Sequence, residues 1–97
     1  MKQWEHGWRG FVEMCLSTKD EEALQAMFSL FLTPEEKIDI ARRFLIIKEL
    51  VHNDKTQRDI AKSLHVSIAK ITRGSNELKR LTKKWRQFLN KIYKVDD

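Results

Sequence analysis

Apolar residues recur at helical spacing along nearly the whole chain, and no stretch alternates apolar and polar as a half-buried strand would. In Lys2 to Leu16, the residues Trp4, Trp8, Phe11, Val12 and Cys15 fall at i, i+4, i+7, i+8 and i+11, one face of a helix. Gly7 and Gly10 weaken that helix in isolation, so packing must hold it. Ser17 to Glu22 is polar and reads as a connector. The segment from Ala23 through Leu24, Met27, Phe28, Leu30, Phe31 and Leu32 reads as a helix buried on most sides. Thr33-Pro34-Glu35-Glu36 is the strongest start signal: an N-cap, a proline at the first helical position and two acids at the positive end of the dipole. The helix it opens, Pro34 to His52, is apolar over most of its circumference, which predicts a central helix partly covered by a second subunit. Asn53-Asp54-Lys55 ends it. A last basic amphipathic stretch turns Trp85, Phe88, Leu89, Ile92 and Tyr93 inward, and Asp96 and Asp97 close the chain. The class is all-α with about six helices, in a single domain spanning 1–97.

Thr56 to Lys79 has the pattern of a helix-turn-helix. Thr56 is a good N-cap with Asp59 three places on, and Ile60, Ala61 and Leu64 form an inward stripe. His65 falls in the turn, where a left-handed conformation is needed and His is among the few residues besides Gly tolerated. Ser67 caps a second helix on which Ile71 faces the first, leaving Ile68, Ala69, Lys70, Thr72 and Arg73 outward. Such a unit lays the start of its second helix in the major groove, where small and hydroxyl side chains approach base edges and cations meet phosphates. An amphipathic hairpin in a helical core would show the apolar spacing without needing those outward residues.

The formal charge of +5 changes the picture because it is unevenly spread. Residues 1–52 carry seven Lys/Arg against nine Asp/Glu, and residues 53–97 carry twelve against five. The positive excess therefore falls on and after the helix-turn-helix, as a phosphate-tracking surface requires. The single cysteine, Cys15, excludes an internal disulfide framework and reads as a small core hydrophobe in a reducing compartment. With no signal peptide and no apolar run of membrane length, a cytoplasmic protein with no membrane partner is expected. No phosphate-binding glycine loop or metal-spaced His/Cys cluster is present, and His6, His52 and His65 stand singly. No catalytic residue, metal or cofactor is expected.

From about Trp8 to Leu89 the chain resembles the bacterial tryptophan repressors. LTPEEK precedes and opens the long helix, Arg43 lies nine residues into it, QR opens the helix-turn-helix, and IxxITRGSNxLK runs along its second helix. The resemblance implies an interlocked all-helical homodimer that binds palindromic double-stranded operator DNA when free L-tryptophan acts as co-repressor. It divides the chain into dimerisation core helices over 1–52, a reading head over 56–79 and a C-terminal dimerisation helix over 81–95.

Matching positions carry the family's roles. The resemblance implies that Arg43 and Arg73 sandwich the indole and that Arg73 also meets the ligand carboxylate, chemistry suited to a planar, weakly hydrated guanidinium. Thr33 would add a hydroxyl to the carboxylate, and Leu30 and Leu32 would offer backbone carbonyls to the ammonium. Read locally, Arg73-Gly74 is a helix end and Ser75-Asn76 a new start; the resemblance implies a continuous helix in which Gly74 leaves space for the ligand. Glu77 replaces a serine of the family, and could either hold the ammonium more strongly or bind Arg73 and close the site. Alternatively, Arg43 and Arg73 pair with Asp39 or Glu77 on their own helices, as surface arginines often do. Gln57, Arg58, Ile68, Ala69, Thr72 and Lys79 match positions near phosphates or bases, while Lys70 replaces a smaller polar residue. Base contacts made largely through water are what the resemblance implies, this family being a standing example of them. The competing expectation is a related DNA-binding regulator that ignores tryptophan.

Overall fold

In a computed structural model that describes residues 1–95, the chain forms six helices and, among those residues, no strand; the terminal Asp96 and Asp97 lie outside the described part. The helices are α1 (Gln3–Ser17), α2 (Glu21–Phe31), α3 (Pro34–His52), α4 (Gln57–Leu64), α5 (Ile68–Lys79) and α6 (Lys83–Ile92). None of them is long and apolar enough to cross a membrane. The chain divides into two compact units, 1–36 and 37–97, each with its own packing.

In the first unit, α1 starts where Glu5 accepts the Lys2 backbone N–H at 3.2 Å and runs through Ser17. The connector is shorter than the polar stretch suggested. Asp20 accepts the Ala23 N–H at 2.8 Å, so the helix begins at Glu21, and Glu21 and Glu22 sit in its first turn where the dipole favours acids. Phe11 organises the packing, its ring centroid 6.3 Å from Phe28 and 5.6 Å from Phe31, with Trp8 stacked at 5.7 Å. Cys15 is half-buried. The expectation that the Ala23–Leu32 segment is buried on most sides does not hold within one chain. None of α2 is fully buried, and Leu30 and Phe31 are 73% and 54% exposed.

The second unit is built on α4 and α5. Ile60 and Ile71 are completely buried and meet Ile46 of α3 and Ala61, with Leu50, Leu64 and Val66 packed around them. Truncating either isoleucine in such a cluster costs about 2–5 kcal/mol. α3 ends where Asn53 turns left-handed (φ 57°), and the C-terminal end of the chain returns to it. The Tyr93 hydroxyl donates to the Phe44 carbonyl at 2.9 Å, the two rings lie 4.9 Å apart, and His52 Nε2 donates to the Tyr93 carbonyl at 3.1 Å. On α6 the sequence expectation fails in part. Tyr93, just past its end, is buried and Leu89 half-buried, but Trp85, Phe88 and Ile92 are about half exposed. The apolar stripe of α6 is wider than the core one chain supplies.

Burial pushes the Tyr93 phenol above its ordinary pKa, because the anion would lose water it cannot replace. The folded state therefore holds that proton more tightly, so this contribution is complete below the unfolded value of about 10 and declines as pH rises through the folded value. Tyr93→Phe is expected to lower stability by about 1 kcal/mol at pH 7 and to flatten the loss of stability between pH 9 and 11. Urea melts of both proteins across that range check it; parallel alkaline profiles would contradict it.

Candidate functional site

α4 and α5 are positioned by their own caps. Thr56 Oγ1 accepts the Asp59 N–H at 3.1 Å, and Ser67 Oγ accepts the Lys70 N–H at 3.4 Å. Between them His65 adopts the left-handed conformation expected of it (φ 56°, ψ 45°), and the Val66 N–H closes the turn on the Ala61 carbonyl at 3.0 Å. With Ile60 and Ile71 locked inside, the opposite faces are forced outward. Gln57, Arg58, Ile68, Ala69, Lys70, Thr72 and Lys79 are all exposed, and Ile68 is 47% exposed where an isoleucine would ordinarily be covered.

These residues do not all gather in one place. Ile68 to Thr72 occupy the first turns of α5, whereas Lys79 lies roughly 10 to 16 Å further along the axis. Gln57 is brought to Thr72 by a side-chain hydrogen bond of 3.1 Å that bridges α4 and α5. No sequence signal marks that pair, since the residues lie 15 positions apart and only the turn geometry brings them together. Beside Lys79 the structure exposes Arg80, Lys83 and Lys84, the last with its ammonium 4.9 Å from the Trp85 ring centroid. No motif in the sequence singles out these cations, although its basic half contains them.

A second cluster lies where α5 meets α3. The helix runs unbroken through Gly74, which is buried: a Cβ there would stand 3.2 Å from Ile46 Cγ2, 3.3 Å from Leu50 Cδ1 and 3.4 Å from Ile47 Cδ1. Within the chain, the room left by the missing side chain lets α5 approach α3. Arg43 stands at i−3, i−4 and i−7 to Ile46, Ile47 and Leu50, on the α3 stripe that faces Gly74, and Arg73 directly precedes Gly74. Each helix thus carries one exposed arginine within a turn of the residues that meet at Gly74, and neither arginine is ion-paired to Asp39 or Glu77 among the described residues. Glu77 instead faces Arg80 at 3.9 Å, a mostly exposed pair worth little energetically.

Leu30, Leu32 and Thr33 belong to the first unit. Thr33 and Glu36 form a full capping box: Thr33 Oγ1 accepts the Glu36 N–H at 3.1 Å, and Glu36 Oε1 accepts the Thr33 N–H at 2.9 Å. The Thr33 hydroxyl keeps its hydrogen for another acceptor. Pro34 has no N–H to offer the Leu30 carbonyl four residues back, and the Leu32 N–H is held by Phe28 at 2.8 Å. The Leu30 carbonyl therefore keeps acceptor capacity at the helix end.

Comparison with known proteins extends this reading over nearly the whole chain. The family model described as Trp repressor protein matches residues 6–93. A Trp operon repressor homolog of Chlamydia trachomatis serovar D is 47% identical over 89 residues, 92% of this chain and 95% of that protein. The homolog of Chlamydia caviae is 47% identical over 88 residues (91% and 87%), and that of Vibrio campbellii 39% over 72 residues (74% and 72%). With a match that takes in α2 through α6 and most of α1, the chain belongs to the Trp repressor family.

Proposed function

We propose that this chain is a cytoplasmic, tryptophan-dependent transcriptional repressor that acts as a homodimer on palindromic operator DNA. What supports the reading is the close approach of α5 to α3 at Gly74, with an exposed arginine on each helix within a turn of it, Arg43 on α3 and Arg73 on α5, and the exposed outward face of α4 and α5. α4 and α5 act as a helix-turn-helix, the start of α5 entering the major groove, as in this family and other proteins with the motif. Arg58, Lys70 and Lys79 supply cations to phosphates, while Ile68 and Ala69 offer apolar surface to thymine methyls or exclude water.

L-tryptophan is the ligand the two guanidinium groups suit. Each can lie flat on an indole face, and Arg73 has edge donors left for the carboxylate. Gly74 keeps α5 close to α3, so that a planar ligand between Arg43 and Arg73 fixes the angle of α5 against α3. Two reading heads held at one angle can engage successive major grooves about 34 Å apart; without the ligand that angle is free to vary.

Exposed apolar surface supports the dimer. Trp4, Trp8, Leu16, Ile38, Ile40, Phe44, Trp85, Phe88 and Ile92 are all exposed in the single chain, far more than a stable monomer of this length tolerates. Calorimetric titration of L-tryptophan into the purified protein tests the ligand assignment: one site per chain is expected. No heat and no binding under any ionic condition would leave a DNA-binding regulator that ignores tryptophan.

A further inference from the structure

We infer that Thr72 is a positioning residue that fixes the side-chain amide of Gln57 for a phosphate oxygen of the DNA backbone, an inference that rests on the DNA-binding reading above. Thr72 Oγ1 donates to Gln57 Oε1 at 3.1 Å, across the two helices of the reading head. A glutamine has two different amide ends, and an exposed one ordinarily samples both orientations and several rotamers. A donor resting on Oε1 settles the choice: the Nε2 hydrogens turn away from α5. Gln57 is the first helical residue of α4, directly after the Thr56 cap, so those hydrogens add to the positive end of the helix dipole. A donor set at that position matches an anionic oxygen.

The core beneath makes the pair rigid. Ile71, next to Thr72, is completely buried, and so is Ile60, three residues after Gln57 and on the same side of α4. The two helices cannot slide without unpacking both isoleucines, so the oxygen-to-oxygen contact is held by the hydrophobic cluster rather than by the exposed side chains alone. With its hydrogen given to Gln57, the Thr72 hydroxyl offers a base edge only lone pairs. Its effect on DNA therefore passes through Gln57, and because a phosphate oxygen is common to every sequence, that effect is the same on operator and random duplex.

The test is a double-substitution cycle on the full chain with saturating tryptophan, using a duplex selected from random sequence and an unselected duplex of equal length. Thr72→Val keeps the shape and removes the donor; it is expected to weaken both duplexes by a similar factor, roughly tenfold for each reading head, the scale of one hydrogen bond to a charged acceptor, and so about a hundredfold for the homodimer. Gln57→Ala should do the same, the double variant should be no weaker than Gln57→Ala alone, and Thr72→Ser should retain wild-type affinity. A Thr72→Val loss confined to the selected duplex, or one that adds in full to Gln57→Ala, overturns the inference. If the wild type binds no duplex, the DNA-binding reading is what fails, and the coupling is read in the free protein instead. There NMR relaxation of the Gln57 side-chain amide should report order in the wild type and Thr72→Ser and mobility in Thr72→Val; unchanged order in Thr72→Val overturns it.

Discussion

Replacing Arg73 by alanine is expected to weaken tryptophan binding by about two and a half to three and a half orders of magnitude and to erase any tryptophan-dependent gain in operator affinity. Two losses combine. A guanidinium stacked on a desolvated aromatic face contributes on the order of 2 kcal/mol. A charge-assisted hydrogen bond to a carboxylate contributes roughly 1.5–3 kcal/mol, and the sum corresponds to about 300- to 5,000-fold in Kd. Arg73→Lys keeps the charge but loses the planar stack and the forked donors, so it should fall between wild type and alanine. Stability should barely move, because Arg73 is exposed and no ion pair ties it to a described residue. Titration calorimetry and a thermal melt on the same samples separate these effects. An Arg73→Ala protein that binds tryptophan within threefold of wild type would remove Arg73 from the site. Glu77→Ser bears on the acid next door. Since Glu77 faces Arg80 rather than Arg73, it leaves the Arg73 fork open, and the serine variant should bind tryptophan no more tightly than wild type.

The second large effect is on assembly. Folding and dimerisation are expected to be one transition, with a midpoint that rises with protein concentration. Within one chain only Ile46, Ile60, Ala61, Ile71, Leu78 and Tyr93 are fully buried as apolar side chains among the described residues. Meanwhile Trp4 and Trp8 on α1 are 67% and 61% exposed, and Trp85 and Phe88 on α6 about half exposed. A tenfold increase in concentration is worth about 1.4 kcal/mol to a dimer, and for a unit of this size the midpoint should climb by roughly 3–6 °C. Trp8→Ala should lower the midpoint and steepen its dependence on concentration. Differential scanning calorimetry over a hundredfold concentration range, with light scattering at the lowest point, gives the answer. A concentration-independent midpoint together with a monomer mass would contradict it.

The helices were legible because local chemistry and tertiary packing agree. Thr33-Pro34-Glu35-Glu36, Thr56 and Ser67 cap where their side chains say they should, and His65 takes the left-handed turn because α4 must stop there for Ile60 and Ile71 to meet. The outward face of α4 and α5 followed from the same stripe. What the sequence did not disclose depends on partners far along the chain. Nothing local says that Tyr93 closes on Phe44, or that Thr72 reaches Gln57. Burial on α2 and α6 was overestimated for a physical reason: periodicity reports that a face is apolar, not which surface covers it. Gly74 shows the reverse case. Its neighbours Arg73 and Ser75 read locally as a helix end and start, and only the approach of Ile46, Ile47 and Leu50 explains why the helix continues through a glycine.

Whether tryptophan changes the affinity for DNA is best measured as the equilibrium Kd of the wild-type protein for a palindromic duplex recovered by selection. The selection is made from random sequence both with and without tryptophan, and each recovered duplex is measured at fixed salt in both states. On the proposed reading, in which a ligand between Arg43 and Arg73 joins α3 to α5, saturating L-tryptophan should tighten binding to the selected duplex by about 5- to 150-fold, the usual span of coupling between two sites, and leave random duplex nearly unchanged. By reciprocity the same duplex should tighten tryptophan binding by the same factor. Equal affinity for every recovered duplex with saturating tryptophan and with none would contradict the account.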